Sequence, residues 1–312
     1  MKNIQWKLLV WLLMGLSFSA CEREFIPEIS TEAAQIVVEG YIEAGPNASP
    51  TFVTLTRTLS FFQELGQEAF DELYVHDAEV IVRSGNEEWQ LTEVCWADLP
   101  PEVRRQVLEL SGFTVDTLAF NACVYIDPSF QLVGEVGRSY DLEVRVGEEL
   151  LTATTTIPPH VPLDSISTRE LPGDSLVDWR EIRAFISDPA DRADYYRYFT
   201  AVNSPVLVSP INSVVDDPFF NGQSFEFPIN KAEARDSTGD FETFGLYLVS
   251  DTVQIKWTNI DEAHYNFWNT LEFGAVNQGP FSSYTRIQGN VEGGLGIWGG
   301  YSFSTYDLII AE

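Results

Sequence analysis

The sequence predicts a mainly β protein with two β-sandwich domains of immunoglobulin-like or transthyretin-like type. A helical insertion is predicted in the first domain and one helix in the second. Short segments of alternating apolar and polar residues recur along the chain between turn residues, as expected for antiparallel sandwiches. The 312 residues are 45% hydrophobic and 13% aromatic, enough to bury a substantial core. A proline-rich break at 157–162 marks the predicted domain boundary.

The first twenty residues have the layout of a secretory signal peptide. Two lysines give a positive start, and the apolar run 8–18 is too short to span a bilayer. Ser19-Ala20-Cys21 then resembles a bacterial lipobox, with Phe18 where leucine is usual. We therefore expect a signal peptide over 1–20 and a fatty acyl group on the thiol of Cys21. The alternative is an ordinary signal peptide in which this cysteine is incidental.

Residues 35–157 are predicted to form the first sandwich domain, after an acidic tether over 21–34. Alternation is strict in one segment, where Tyr140, Leu142, Val144 and Val146 are expected to face the core. The predicted strands of this domain are 36–42, 52–58, 78–83, 88–94, 137–146 and 150–157. Residues 99–112 have helical spacing and form the predicted helical insertion, with a loop as the alternative.

Residues 163–312 are predicted to form a second, mainly β domain. Its strands are expected near 179–186, 195–202, 252–257 and 301–305. A helix is predicted near 260–276, with Asp261 able to cap its N-terminus. The apolar stripe of this helix is assigned to packing; it consists of Tyr265, Trp268, Leu271 and Ala275.

Two cysteines remain after the anchor, Cys95 and Cys123, and an even pair in an oxidising compartment can form a disulfide. The alternative is two buried free thiols. No metal site is predicted, because His76, His160 and His264 are far apart and no CxxC motif is present.

One acidic segment offers carboxylates for a calcium site. Asp188, Asp191 and Asp194 lack the spacing of an EF-hand loop. A solvated turn is the favoured interpretation.

The charge balance excludes several classes of partner. The chain has 18 basic and 47 acidic residues, a formal charge of −29, and removal of the signal peptide leaves 16 basic against 47 acidic, or −31. A general nucleic-acid-binding protein needs a basic face, which this composition does not offer. Docking of the folded part on anionic lipid is disfavoured for the same reason.

Several aromatic residues lie in predicted loops rather than strands, where they can stack on sugars or anchor a protein interface. They are Phe61, Phe62, Phe70, Tyr74, Phe219 and Phe220. The alternative is a small satellite core beneath a long loop.

The order of several segments resembles the DUF4249 lipoproteins of Bacteroidetes. The matching segments are 37–42, 53–57, 154–158, Asp188-Pro189, Tyr195-Tyr196-Arg197, 280–283 and 290–296. The acidic Glu22-Arg23-Glu24 also resembles the signal that exports such lipoproteins to the cell surface. The resemblance implies an envelope lipoprotein, often encoded beside TonB-dependent transporters, and implies no catalytic residue and no cofactor.

The predicted function is therefore a non-enzymatic accessory or lid subunit of a TonB-dependent nutrient transporter. We expect the protein to be lipid-anchored in the outer membrane and to face the cell exterior. The alternative is a structural or adhesive surface protein that has no transporter partner. An envelope hydrolase would require a cleft with convergent carboxylates.

Overall fold

A computed structural model describes residues 34–59, 73–102, 104, 121–233, 242–276 and 285–311. Several predicted features lie outside these residues: the signal peptide 1–20, Cys21, nearly all of the tether, three loop aromatics (Phe61, Phe62 and Phe70) and the segment 280–283. Of the predicted insertion, residues 101, 102 and 104 are helical, and most of the rest is not described.

The described residues form a mainly β structure, which confirms the predicted class. The first eight strands are β1 Ile36–Ala44, β2 Phe52–Arg57, β3 Glu79–Ser84, β4 Glu87–Cys95, β5 Cys123–Ile126, β6 Ser139–Val146, β7 Glu149–Thr156 and β8 Ser165–Glu170. The others are β9 Trp179–Ser187, β10 Tyr195–Val202, β11 Val214–Asp216, β12 Ser224–Ile229, β13 Tyr247–Leu248, β14 Thr252–Ile260 and β15 Leu295–Ile309. One helix, α1, spans Glu262–Val276.

Eleven of these strands belong to one continuous sheet in the order β11-β10-β14-β15-β1-β2-β5-β4-β3-β6-β7. The remaining four form a second sheet, in which β9 pairs with β8, β12 and β13. Two separate sandwiches, and their immunoglobulin-like or transthyretin-like type, stay predictions.

The last strand connects the two halves of the chain. β15 runs parallel to β1, from Val37 opposite Leu295 to Ala44 opposite Ser302, and antiparallel to β14 on its other side. Gly296 makes this pairing possible, because a Cβ atom there would lie 1.9 Å from the carbonyl oxygen of Val38. The two halves therefore share strand hydrogen bonds at the centre of the large sheet.

Two hydrophobic clusters form the core. One is built from β1 to β7 and includes Trp298 of β15, and the other lies between the two sheets around Trp257 of β14. The change from one cluster to the other falls near the predicted boundary at 157–162. The division into domains 35–157 and 163–312 nevertheless stays a prediction, since residues 34–312 form one compact unit.

The predicted disulfide between Cys95 and Cys123 is confirmed. The two cysteines are directly opposite each other on β4 and β5, so the bond links neighbouring strands. It also closes the segment that contains the predicted insertion.

The predicted helix near 260–276 is also confirmed as α1. The carboxylate of Asp261 accepts a hydrogen bond of 2.8 Å from the backbone N–H of His264, as a capping residue does. Within the described part of the chain, the helices are too short or too polar to cross a bilayer.

Candidate functional site

A cavity of about 380 Å³ lies beside α1, on the face of the large sheet opposite to Trp257. Half of its lining residues carry aromatic rings, and its polar groups include one arginine, one histidine and one carboxylate. The lining residues include Glu39, Tyr41, Phe52, Arg197, Phe199, His264, Trp268 and Tyr301.

Strand alternation brings these side chains together. Residues two apart on a strand share a face, so Glu39 and Tyr41 of β1 point to the same side. On β10, Arg197 and Phe199 face the cavity, whereas Tyr196 faces the hydrophobic cluster on the other side of the sheet. The pairing of β10, β14, β15 and β1 then sets these positions side by side.

Helix α1 forms the wall of the cavity that faces the large sheet. His264 and Trp268 are four residues apart, so both lie on the helix face that packs against the sheet. The ring of His264 stacks on Tyr41 with 5.5 Å between ring centroids. Gly299 makes room for this ring, since a Cβ atom there would lie 2.6 Å from the Nδ1 atom of His264.

The guanidinium of Arg197 is the unusual group of the site. The residue is only 4% exposed. Its Cζ atom lies 3.6 Å from the ring centroid of Trp268 and 4.7 Å from that of Phe199, so the charged plane is stacked against aromatic rings. Among the described residues, no carboxylate oxygen comes within 4.0 Å of its nitrogens.

Ser213 lies between Arg197 and the buried carboxylate of Glu272 and forms hydrogen bonds with both. The Nε atom of Arg197 donates a hydrogen bond of 2.9 Å to Ser213, whose hydroxyl and backbone N–H donate to Glu272. Burial lowers the pKa of Arg197, and the nearby Tyr41 and Glu272 oppose this effect. The guanidinium stays protonated, because arginine does not lose its charge in proteins.

His264 provides a neutral surface rather than a charge. It is 1% exposed, and neither ring nitrogen makes a hydrogen bond of normal geometry with the described residues. Burial first, and then the positive charge of Arg197, lower the pKa of His264 to about 3, against a smaller opposing contribution from the backbone of Gly300. The imidazole is therefore uncharged at neutral pH.

The comparison with protein families identifies the chain at family level. Residues 22–307 match the model described as "Domain of unknown function (DUF4249)". The chain belongs to the DUF4249 family. No curated protein matches the chain.

Three of the loop aromatics that were predicted to form an interface are described in this DUF4249 chain. Phe219 is 93% exposed, whereas its neighbour Phe220 is 6% exposed and stacks on Tyr196 and Phe225. Phe220 therefore packs in the core, where it also lines a second cavity of about 190 Å³. Tyr74 is partly buried and forms an isolated bridge with Thr56.

The acidic segment is not the solvated turn that the sequence favours, because Asp188 and Asp194 are buried. Asp188 and Asp194 lie close to Asp217, whereas Asp191 is exposed and outside the cluster. Each carboxylate already accepts hydrogen bonds from the protein: Asp188 from Tyr196, Asp194 from Arg192, and Asp217 from Asn221. Three carboxylates could hold a cation, but these contacts give each of them a structural partner without one.

Local patterns do not reveal the main residues of the cavity in this DUF4249 protein. The helical stripe predicts a packing role for Trp268, and the isolated histidines predict no metal role for His264. Arg197 was available as a signal, because a charged residue inside the aromatic strand Tyr195–Val202 is unusual. The position of Arg197 against Trp268 depends on contacts between distant parts of the chain, which no local sequence pattern predicts.

Proposed function

We propose that this DUF4249 protein is a non-enzymatic, lipid-anchored subunit that captures a small nutrient for a TonB-dependent outer-membrane transporter. The observation that carries the proposal is the aromatic cavity of about 380 Å³ with the buried guanidinium of Arg197 in its wall. Small-molecule sites have this character: they are concave and mostly apolar, and they hold a few placed polar groups.

The chemistry of the cavity favours binding over catalysis. A general acid or base works best when its pKa is near the operating pH, but the pKa of His264 is lowered to about 3. Burial also raises the pKa of Tyr41 and of Tyr301. These groups stay neutral at pH 7 and are suited to contacting a ligand rather than transferring protons.

The membrane anchor and the partner are supported by the sequence. The motif that ends at Cys21 supports acylation, and Glu22-Arg23-Glu24 supports export to the cell surface. The resemblance to envelope lipoproteins of Bacteroidetes supports a TonB-dependent transporter as the partner. A lipidated N-terminus followed by a polar tether would let the folded part reach the mouth of such a barrel.

The test is purification of the native protein from detergent-solubilised outer membranes of its host. We expect mass spectrometry to find an acylated Cys21 at the mature N-terminus and a stoichiometric β-barrel transporter in the same fraction. A Cys21→Ala variant is the matched control, and it should lose both the acyl group and the membrane fraction.

Two results would contradict the proposal. An unmodified N-terminus in the native protein would remove the anchor. An acylated protein that purifies without a barrel would contradict the transporter role and favour the structural or adhesive alternative, for which the exposed Phe219 offers a contact residue.

A further inference from the structure

The buried guanidinium of Arg197 is arranged to receive an anionic group. Only its Nε atom makes a hydrogen bond with the described residues, and this bond goes to an uncharged serine. Two aromatic rings hold the guanidinium plane, which leaves the remaining N–H groups available at the cavity wall. The planar fork of arginine matches the two oxygens of a carboxylate.

The rest of the wall is suited to a flat or apolar body. Tyr41, Phe52, Phe199, Trp268 and Tyr301 line the cavity, and the neutral His264 adds another ring face. The indole Nε1 of Trp268 is buried and makes no hydrogen bond of normal geometry with the described residues. A volume of about 380 Å³ is near the lower end of the range for small-molecule sites.

A carboxylate on the same cavity limits the charge of the ligand. Glu39 lines the cavity, is exposed, and accepts a hydrogen bond of 3.1 Å from the hydroxyl of Tyr41. The whole chain has a formal charge of −29, which repels free anions from its surface. A ligand with an ammonium group as well as a carboxylate has no net charge and offers a partner to Glu39.

We infer that the cavity binds a zwitterionic amino acid or a compound of that class with an aromatic or apolar side chain. Its carboxylate pairs with Arg197, its ammonium group faces Glu39, and its side chain lies between the aromatic walls. This inference rests on the proposed ligand-capture function and names the class of nutrient.

The test is a calorimetric titration of the full mature chain, with its acyl anchor, in detergent micelles. Four probes separate the contributions of the carboxylate, the ammonium group and the aromatic ring of the ligand. They are L-phenylalanine, phenylpropionate without the amine, phenethylamine without the carboxylate, and inorganic phosphate. We expect L-phenylalanine to bind most tightly and phenylpropionate to bind up to about fivefold more weakly, because Glu39 is exposed. Phenethylamine and phosphate should show no measurable binding.

Variants locate the binding. Arg197→Met should weaken the binding of L-phenylalanine by about 10- to 100-fold, because a charged hydrogen bond is lost. Arg183→Met is the matched control, since Arg183 pairs with Glu226 on the second sheet and does not line the cavity. If Arg197→Met does not fold, the surface variant Glu39→Gln still tests the site: it should weaken the binding of L-phenylalanine by about two- to fivefold, and unchanged binding overturns the role of Glu39.

The inference is overturned if phosphate or phenethylamine binds as tightly as L-phenylalanine, if no probe binds, or if Arg197→Met and Arg183→Met behave alike. The titration uses the isolated chain, so its result is independent of the transporter. A missing barrel partner would overturn the transporter role and leave the ligand class standing.

Discussion

Glu43 of β1 and Lys256 of β14 form a buried ion pair across β15, the strand between them. The side chains of Glu43 and Lys256 are 6% and 12% exposed. The hydroxyl of Tyr301 on β15 also donates to Glu43, so three strands meet at one carboxylate. The first and last parts of the chain are thereby joined by charge as well as by strand pairing.

Removal of one partner of this pair should strongly destabilise the fold. We expect Glu43→Gln or Lys256→Met to lower the free energy of unfolding by about 3–5 kcal/mol, because the other charge is left buried without its partner. Urea unfolding at pH 7 measures the change. Glu88→Gln is the control, because Glu88 pairs with Arg83 at the surface and should cost less than about 1 kcal/mol. A loss in Glu88→Gln as large as that in Glu43→Gln or Lys256→Met would contradict the prediction.

The same pair predicts a pH dependence. Burial alone would raise the pKa of Glu43, but Lys256, Tyr301 and the backbone of Ser49 outweigh burial and leave the pKa below its ordinary value of 4.5. The unfolded state therefore binds the proton more readily. The stabilisation is complete above about pH 4.5 and is lost as the pH falls through the lowered pKa. The difference in unfolding free energy between the wild type and Glu43→Gln should shrink over that range.

His264 should make the protein less stable in mild acid. Its pKa falls from an ordinary value of 6.5 to about 3 in the folded state, so between these values only the unfolded state takes up the proton. Stability should fall by up to about 1.4 kcal/mol for each pH unit below 6.5.

A His264→Phe variant isolates this effect, because it keeps a ring on Tyr41 and removes the titration. Other buried groups, including Asp261 with its raised pKa, titrate in both proteins and cancel in the difference. Urea unfolding from pH 7 to pH 4 should therefore show a shallower loss in the variant. Equal slopes would show that the imidazole is not buried as described.

The disulfide should contribute to stability through the unfolded state. Cys95 and Cys123 are separated by 28 positions, and closure of a loop of that length is worth about 3–4 kcal/mol. The double variant Cys95→Ser/Cys123→Ser should lose this amount in urea unfolding. Reduction of the wild type by dithiothreitol should give the same loss, and the reductant should have no effect on the variant.

Gly296 should tolerate no side chain. Its φ is +109°, and a Cβ atom would lie 1.9 Å from the carbonyl oxygen of Val38, so Gly296→Ala should break the pairing of β1 with β15. Gly85 has a φ of +59° and no atom within 4 Å of the same position, so Gly85→Ala should cost only about 1–2 kcal/mol. Thermal unfolding of both variants makes the comparison, and equal melting temperatures would contradict the β1–β15 register.

Phe219 and Phe220 are neighbours with opposite exposure. Phe220→Ala should cost about 3–5 kcal/mol, because a buried ring is removed from an aromatic stack. Phe219→Ala should change stability by less than about 0.5 kcal/mol. Only Phe219→Ala is therefore a clean test of an interface, and unchanged capture of a partner by this variant would remove Phe219 from that role.

The elements that sequence reasoning predicted well are those with a local signal. Strict alternation predicts that Tyr140, Leu142, Val144 and Val146 face the core. The first three are buried, and Val146 is partly buried and packs against the same cluster. Asp261 was expected to cap α1 because a short acidic side chain reaches backbone N–H groups three residues later, and it does so. The count of two remaining cysteines allowed either a disulfide or two free thiols, and the structure shows the disulfide.

The candidate site depends on contacts between distant parts of the chain. Tyr41, Arg197 and His264 come from β1, β10 and α1, and they meet only because β15 inserts between β1 and β14. No repeat or motif links these positions, so Trp268 looked like an ordinary packing residue and Arg197 like part of an aromatic strand.

By itself, the sequence determined the β class and α1 with its cap, because periodicity and capping depend on the identity of near neighbours. Only the tertiary structure decided that the two halves share a sheet and that a charged guanidinium is buried in an aromatic cavity. The pairing register of strands more than 200 positions apart is set by the packing of the whole chain.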